Sequence, residues 1–308
     1  VRLTQLTGDM LKVLLPYCIF AGLTVTTAHG AGHDVMPTGP RIIVENPGQN
    51  LSYLTDEQKE IAADMTAFVE RMRRKIEDGV GAPYTETQEF PLEYGNYLVE
   101  VARGDAIAKA GLYTGHSTLG NPPRIRDTYW NSYLQVDVHP TSPYVGLSHI
   151  TMTLQFITDG RTVVGGNVHM ARSAMRQEDI DYLRVKVDEV FEKHGVDVAP
   201  YRKARCKGFR LERDLTVCSG VSFYIPPLME ANRQNYELVR DTWEAFLDAT
   251  IVLANKRAEE PFTSKEKEKQ DRMRWWWLQD RLFSDDFTTS VVPFELFFMA
   301  TLPPEVKF

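Results

Sequence analysis

The sequence predicts an α+β fold in a single domain, with strands gathered in the middle of the chain and helices at both ends. Three observations predict it. Runs of alternating apolar and polar residues, separated by tight-turn residues, recur between positions 97 and 168, which favours an antiparallel meander over a parallel βαβ sheet. Apolar residues at helical spacing flank this block on both sides. No repeat, low-complexity tract or long linker interrupts the order, so residues 51–308 read as one domain behind an N-terminal arm, residues 1–50.

Within the arm, Met10 to Ala28 is rich in Leu, Val, Ile and Thr, but Lys12 and Pro16 fall inside it and Asp9 beside it. No uninterrupted run reaches the ~20 apolar residues a spanning helix needs. A clear basic start is also missing, so neither a membrane span nor a signal peptide is expected. Closely spaced Gly, Pro, His and Asn from Ala31 to Asn50 read as irregular chain.

Thr55 followed by Asp56, Glu57 and Gln58 is a helix start, with acidic groups facing the positive end of the helix dipole. That helix is expected to run to about Asp78 and stop at Gly79. Strands follow at Tyr97 to Ala102, Ala106 to Gly115, Thr128 to Val138, Leu147 to Ile157 and Thr162 to Val168, parted by turns such as Arg103-Gly104-Asp105 and Asp159-Gly160. Ile180, Leu183, Val187, Val190 and Phe191 give Gln177 to His194 a helical period that ends at Gly195. Two further strand-like runs, Phe209 to Val217 and Val221 to Ile225, precede a long helix from about Pro227 to Lys256. A charged segment, Ser264 to Arg274, leads into Trp275-Trp276-Trp277, and a short helix is expected around Pro293 to Ala300.

Composition narrows the function classes. With 43% hydrophobic and 25% charged residues, the chain can bury a substantial core. A net charge of -7 supplies no attraction to phosphate backbones or anionic lipid, so neither nucleic acid nor a membrane is an expected partner. The three cysteines are an odd count without CxxC spacing, which suggests neither a disulfide framework nor a thiolate zinc site. Cys206 and Cys218 are therefore expected to be packed thiols in a reducing, cytoplasmic compartment. Gly165-Gly166 has no Rossmann or GK[ST] context, so no nucleotide is expected. His116, His139, His149 and His169 lack HxH or HExxH spacing, and no metal is expected either. Consecutive aromatics such as the tryptophan triplet usually anchor a core or a dimer seam.

The chemistry-bearing stretch is His149-Ile150-Thr151-Met152-Thr153-Leu154-Gln155-Phe156. On a strand, His149, Thr151, Thr153 and Gln155 share one face, and the apolar residues between them share the other. Tyr129, Asn131, Tyr133, Gln135, Asp137 and His139 have one parity on the preceding strand. If the two strands pair, His139, Gln135 and His149 converge on one polar surface. Periodicity does not decide whether that surface lines a cavity or faces solvent.

The segment Val138-His139-Pro140-Thr141-Ser142-Pro143-Tyr144-Val145-Gly146-Leu147-Ser148-His149 resembles V-H-P-x-N-P-Y-x-P-T-x-H of the oxygen-dependent coproporphyrinogen III oxidase family, at equal spacing. Further stretches are similar to that family in the same order. Ala108-Lys109-Ala110-Gly111 resembles E-K-A-G, Val164-Gly165-Gly166-Asn167 resembles F-G-G-G, and Pro200-Tyr201-Arg202-Lys203 resembles P-x-x-K-K. Ser219-Gly220-Val221-Ser222-Phe223-Tyr224 resembles G-G-I-F-F, and the segment from Phe294 to Pro304 resembles T-E-S-I-L-M-S-L-P-P. The resemblance runs from about Asp56 to Phe308.

The resemblance implies a large curved antiparallel sheet covered by helices on both sides. It further implies a homodimer and a small-molecule substrate handled without a cofactor. It makes His149 the proton donor and matches His139 to the histidine of the H-P motif. It also implies losses: the Asn and Arg that follow the donor are Thr151 and Thr153, and the aspartate after the glycine run falls on Val168, with His169 beside it. An arginine is replaced at Leu215, with Arg213 nearby, and the late G-G-R-T-E loop becomes Val291-Val292-Pro293-Phe294-Glu295. A carboxylate-to-guanidinium contact is worth ~1.5–3 kcal/mol, so losing several weakens a tetra-anionic porphyrinogen by orders of magnitude.

The expected function is thus an enzyme repurposed for a less anionic, more hydrophobic small molecule of specialised metabolism. The reaction is an oxidation, decarboxylation, cyclisation or rearrangement, with His149 as general acid or base. Gln135, His139, Tyr144, Thr151, Thr153, His169 and Arg213 are the expected substrate contacts. The rival expectations are a genuine oxidase and a catalytically silent binding protein.

Overall fold

A computed structural model describes residues 48–92, 95–117, 127–207, 216–224, 229–280 and 294–305, all within one compact unit, Ile42–Phe308. The α+β class is observed. Gly48 to Asn50, assigned above to the arm, already pair with the sheet: Gly48 N–H donates to the Thr128 carbonyl at 2.9 Å and Asn131 N–H to Gly48 at 3.0 Å.

Helix α1 (Asp56–Val80) opens with a complete capping box, in which Thr55 and Gln58 bond each other's backbone N–H. It ends at Gly81, whose φ of 75° is the left-handed geometry that glycine accepts without penalty, rather than at Gly79. Gly79 serves packing instead, since a Cβ there would lie 2.5 Å from Ile251 Cδ1.

Seven strands follow as a sequential antiparallel meander: β1 (Tyr84–Leu92), β2 (Gly95–Ala102), β3 (Ile107–Ser117), β4 (Thr128–Pro140), β5 (Ser148–Ile157), β6 (Thr162–Met170) and β7 (Val221–Ser222). β1 escapes the sequence reading because its Thr, Glu and Gln side chains are those of an exposed edge and carry no apolar alternation. The helices are α2 (Gln177–Lys193), α3 (Ala199–Lys207), α4 (Arg233–Arg257), α5 (Ser264–Gln279) and α6 (Phe294–Thr301). Sequence reasoning left α3 unassigned. It also began α4 too early: Asn232 supplies the cap, accepting from Asn235 N–H at 2.9 Å. Of the run Phe209 to Val217, only Thr216 and Val217 lie within the described residues, and Thr216 bridges Ala171.

The two sheet faces are packed differently. On one, Leu112, Val136, Ile150, Met152 and Leu154 meet Phe68 and Met72 of α1, Leu183 of α2, and Trp243 and Phe246 of α4. Full burial of each such side chain is worth about 1.5–3 kcal/mol, so this layer is the main source of stability. On the other face, Tyr97, Val99, Val101 and Tyr113 hold Leu296, Phe297 and Ala300 of α6, while Leu147 and Ala171 hold Met273 and Trp277 of α5. Helices therefore cover the sheet on both sides. A buried ion pair ties α4 to α2: Arg257 Nε and Nη2 donate to Asp179 at 2.9 and 3.1 Å.

Cys206 and Cys218 correct an expectation. They are joined as a disulfide with Cα atoms 5.4 Å apart, because the fold returns the chain before β7 to the end of α3. A separation of 12 residues does not reveal that return. Among the described residues no helix is long and apolar enough to cross a membrane.

Candidate active site

Strand register builds the site. β3 to β6 align Gly111, Asp137, His149 and His169 in one row across the sheet, with Lys109 and His139 paired in an adjoining row. Tyr113, Gln135, Thr151 and Asn167 form the row on the other side of it. Gln135, His139 and His149 thus share one face, as their strand parity predicts. That face is not solvated: α5 and α6 roof it, and Gln135, Asp137, His139, His149 and His169 are all buried.

Asp137 sits at the centre with no exposed surface. It accepts from His149 Nδ1 at 2.7 Å, Thr301 Oγ1 at 2.6 Å and Gln135 Nε2 at 2.7 Å. Burial by itself raises a carboxyl pKa. Attraction to His149, with hydrogen bonds from His149 and Thr301, outweighs burial and holds Asp137 below its ordinary value. An ionised carboxylate only accepts, so His149 Nδ1 carries the proton and Nε2 is left for proton exchange. Tyr133 completes the chain by donating to Gln135 Oε1 at 2.8 Å.

His139 does different work. Its Nε2 donates to the Thr301 carbonyl at 3.0 Å, and its Nδ1 has no hydrogen-bond partner among the described residues. Burial, reinforced by the Lys109 charge, lowers its pKa to about 3, so the ring is neutral. Trp277 Nε1 donates to the same carbonyl at 3.2 Å. Lys109 Nζ reaches the next carbonyl, Leu302, at 2.8 Å, and burial with the nearby Arg103 lowers its pKa to about 8. The Trp277 ring lies beside both imidazoles of the central row, tilted to His149 with centroids 5.3 Å apart and stacked on His169 at 6.3 Å.

The remaining expected contacts divide. Thr151 Oγ1 lies 3.2 Å from the Tyr224 hydroxyl, on the face that carries Asp137 and His149. Thr153 is half-buried further along β5, beside Gln155. Val168 points into the apolar core, and His169 is the residue of that pair that enters the polar face. Tyr144 is reassigned: its hydroxyl donates to the Pro261 carbonyl at 3.2 Å and its ring carries the Arg176 guanidinium, which anchors the turn after β4 to the chain between α4 and α5. Arg213, Leu215 and Val291 to Pro293 lie outside the described residues.

His116 parts from the other histidines. It has the opposite parity on β3 and lines a cleft of about 310 Å³ with Thr66, Val69 and Glu70 of α1. Among the described residues no group of three or more His, Cys, Asp or Glu is placed to hold a metal ion. The tryptophan triplet is also divided: Trp277 is buried at the site, whereas Trp275 and Trp276 are exposed.

Sequence reasoning missed Asp137, Lys109, Trp277 and Thr301 as site residues. Asp137 had a visible signal, an acid between valines at the parity of Gln135 and His139. No protein-family model matches the chain.

Proposed function

We propose that the chain is a cofactor-independent enzyme on a coproporphyrinogen oxidase-like scaffold, in which Asp137 and His149 form an acid–base dyad acting on a largely uncharged small molecule. The carrying observation is the 2.7 Å contact from His149 Nδ1 to a carboxylate that is wholly buried and kept ionised by its neighbours. A buried, oriented imidazole of this kind contributes ~10²–10⁴-fold to a proton-transfer step. The neutral His139, the Trp277 indole and the hydroxyls of Thr151 and Tyr224 surround the dyad with uncharged donors and an aromatic surface. That lining favours a hydrophobic substrate over a polyanion.

A second reading, a catalytically silent binding protein, draws on one specific observation: Thr301 and Trp277 occupy the space beside the dyad. Turnover separates the two. Wild-type protein and His149→Ala are incubated with a small-molecule extract, and consumed masses are followed by mass spectrometry. The enzyme reading expects a compound consumed by wild type and spared by His149→Ala. Identical profiles for both proteins and a blank favour the silent protein.

A further inference from the structure

Thr301 closes α6, and its side chain is wholly buried. Its hydroxyl donates to Asp137 Oδ2 at 2.6 Å and accepts from Gln135 Nε2 at 3.1 Å. Its carbonyl oxygen accepts from His139 Nε2 at 3.0 Å and Trp277 Nε1 at 3.2 Å. The last carbonyls of a helix ordinarily find water or the N–H groups of a turn. Here they meet donors from β3, β4 and α5: Lys109 on Leu302 at 2.8 Å and Arg103 on Pro304 at 3.3 Å continue the series.

Two N–H donors from separate elements on one carbonyl oxygen make the arrangement that holds a reacting carbonyl in acyl and enol chemistry. The hydroxyl on the adjoining carbon but one lies on Asp137, the carboxylate of the dyad. Thr301 thus presents a β-hydroxy carbonyl unit to the site, its hydroxyl on Asp137 and Gln135 and its carbonyl on His139 and Trp277. Both cradle donors are neutral, which matches a neutral carbonyl better than a carboxylate.

The helix carrying Thr301 is also set apart from the main core. Leu296, Phe297 and Ala300 belong to a small cluster with Tyr97, Val99, Val101 and Tyr113. The Ala300 carbonyl rests on Gly111, where a Cβ would come within 1.9 Å of it. Lifting residues 294–305 therefore leaves the α1, α2 and α4 layer intact.

We infer that Thr301 is a built-in pseudosubstrate, and that the external ligand is a neutral β-hydroxy carbonyl compound, an amide, ester or ketone, that takes its place when this segment lifts. The inference rests on the dyad reading above, but its test does not read turnover. Hydrogen exchange of segment 294–305 is measured in the full chain with 3-hydroxybutanamide, butanamide or 2-butanol at tens of millimolar. Lys109→Met, which weakens the closed form and so raises apparent affinity, is run beside wild type.

The expected result is exchange about threefold or more faster with 3-hydroxybutanamide, at lower concentration in Lys109→Met, the size of a modest population shift. The two analogues, each lacking one oxygen, leave exchange unchanged, and Asp137→Asn abolishes the response. Equal effects from all three probes, or none in either protein, overturn the pseudosubstrate. If the exchange response holds while turnover survives His149→Ala, the catalytic reading falls and the ligand assignment stands.

Discussion

Asp137 and His139 are two residues apart on one strand, yet burial acts on them in opposite ways. Asp137 receives three donors and stays ionised, whereas His139 has Lys109 beside it and stays neutral. The sign of the pH effect follows. An unfolded histidine titrates near 6.5 while His139 resists protonation to about 3, so the unfolded state binds the extra proton between those values. Stability is lost as pH falls through that window, by up to about 1.4 kcal/mol per pH unit. Asp137, depressed in the fold, adds its own loss only lower, as pH falls through the carboxylate range. His139→Gln is expected to flatten urea-unfolding stability between about pH 6.5 and pH 4. An unchanged slope would show that His139 is not held neutral. Neither environment is written in Val-Asp-Val-His, because each is made by groups elsewhere in the chain, His149 for Asp137, Lys109 for His139, and Thr301 of α6 against both.

At the scale of elements, two contacts carry measurable consequences. Asp179, at the start of α2, is wholly buried against Arg257. Removing one partner of such a pair leaves a buried charge uncompensated, at a cost of about 3–5 kcal/mol. Arg257→Ala, which leaves the buried Asp179 with the half-exposed Lys256 among the described residues, is expected to lower stability by close to that amount in urea denaturation, far more than Asp56→Ala at the exposed start of α1. Gly111 is the seat of α6. Gly111→Ala forces the helix outward from the Ala300 carbonyl and is expected to cost ~1–3 kcal/mol, as overpacking does. Gly165→Ala, whose Cβ would meet the Tyr224 ring at 3.1 Å and the Phe223 carbonyl at 3.7 Å, is expected to cost less in the same assay.

Most of these elements were legible in the sequence because β2 to β6, α2 and the capped start of α1 each repeat a short-range rule. β1 and α3 were not, since an exposed polar strand and a nine-residue helix of weak amphipathic pattern leave little trace. The α1 stop was misplaced for a related reason. Gly79 and Gly81 look alike in sequence, and the fold tells them apart by the packing of Ile251 on Gly79 and the left-handed φ of Gly81.

On the scale of the whole molecule, one meander presents an apolar face to α1, α2 and α4 and a polar face to α5 and α6. Sequence parity found the polar face and two of its histidines. It did not show the roof, because Trp277 and Thr301 reach the sheet from the far end of the chain. The Cys206–Cys218 link was hidden by the same kind of long-range return.

Asp137 and His149 are proposed to work as one unit, and kcat/KM for wild type, His149→Ala, Asp137→Asn and the double variant tests this most directly. Residues that act together are non-additive, so the double variant is expected to be no slower than His149→Ala alone, with each single loss on the order of 10²–10⁴-fold. Losses that multiply in the double variant, or a fully active Asp137→Asn, would contradict it.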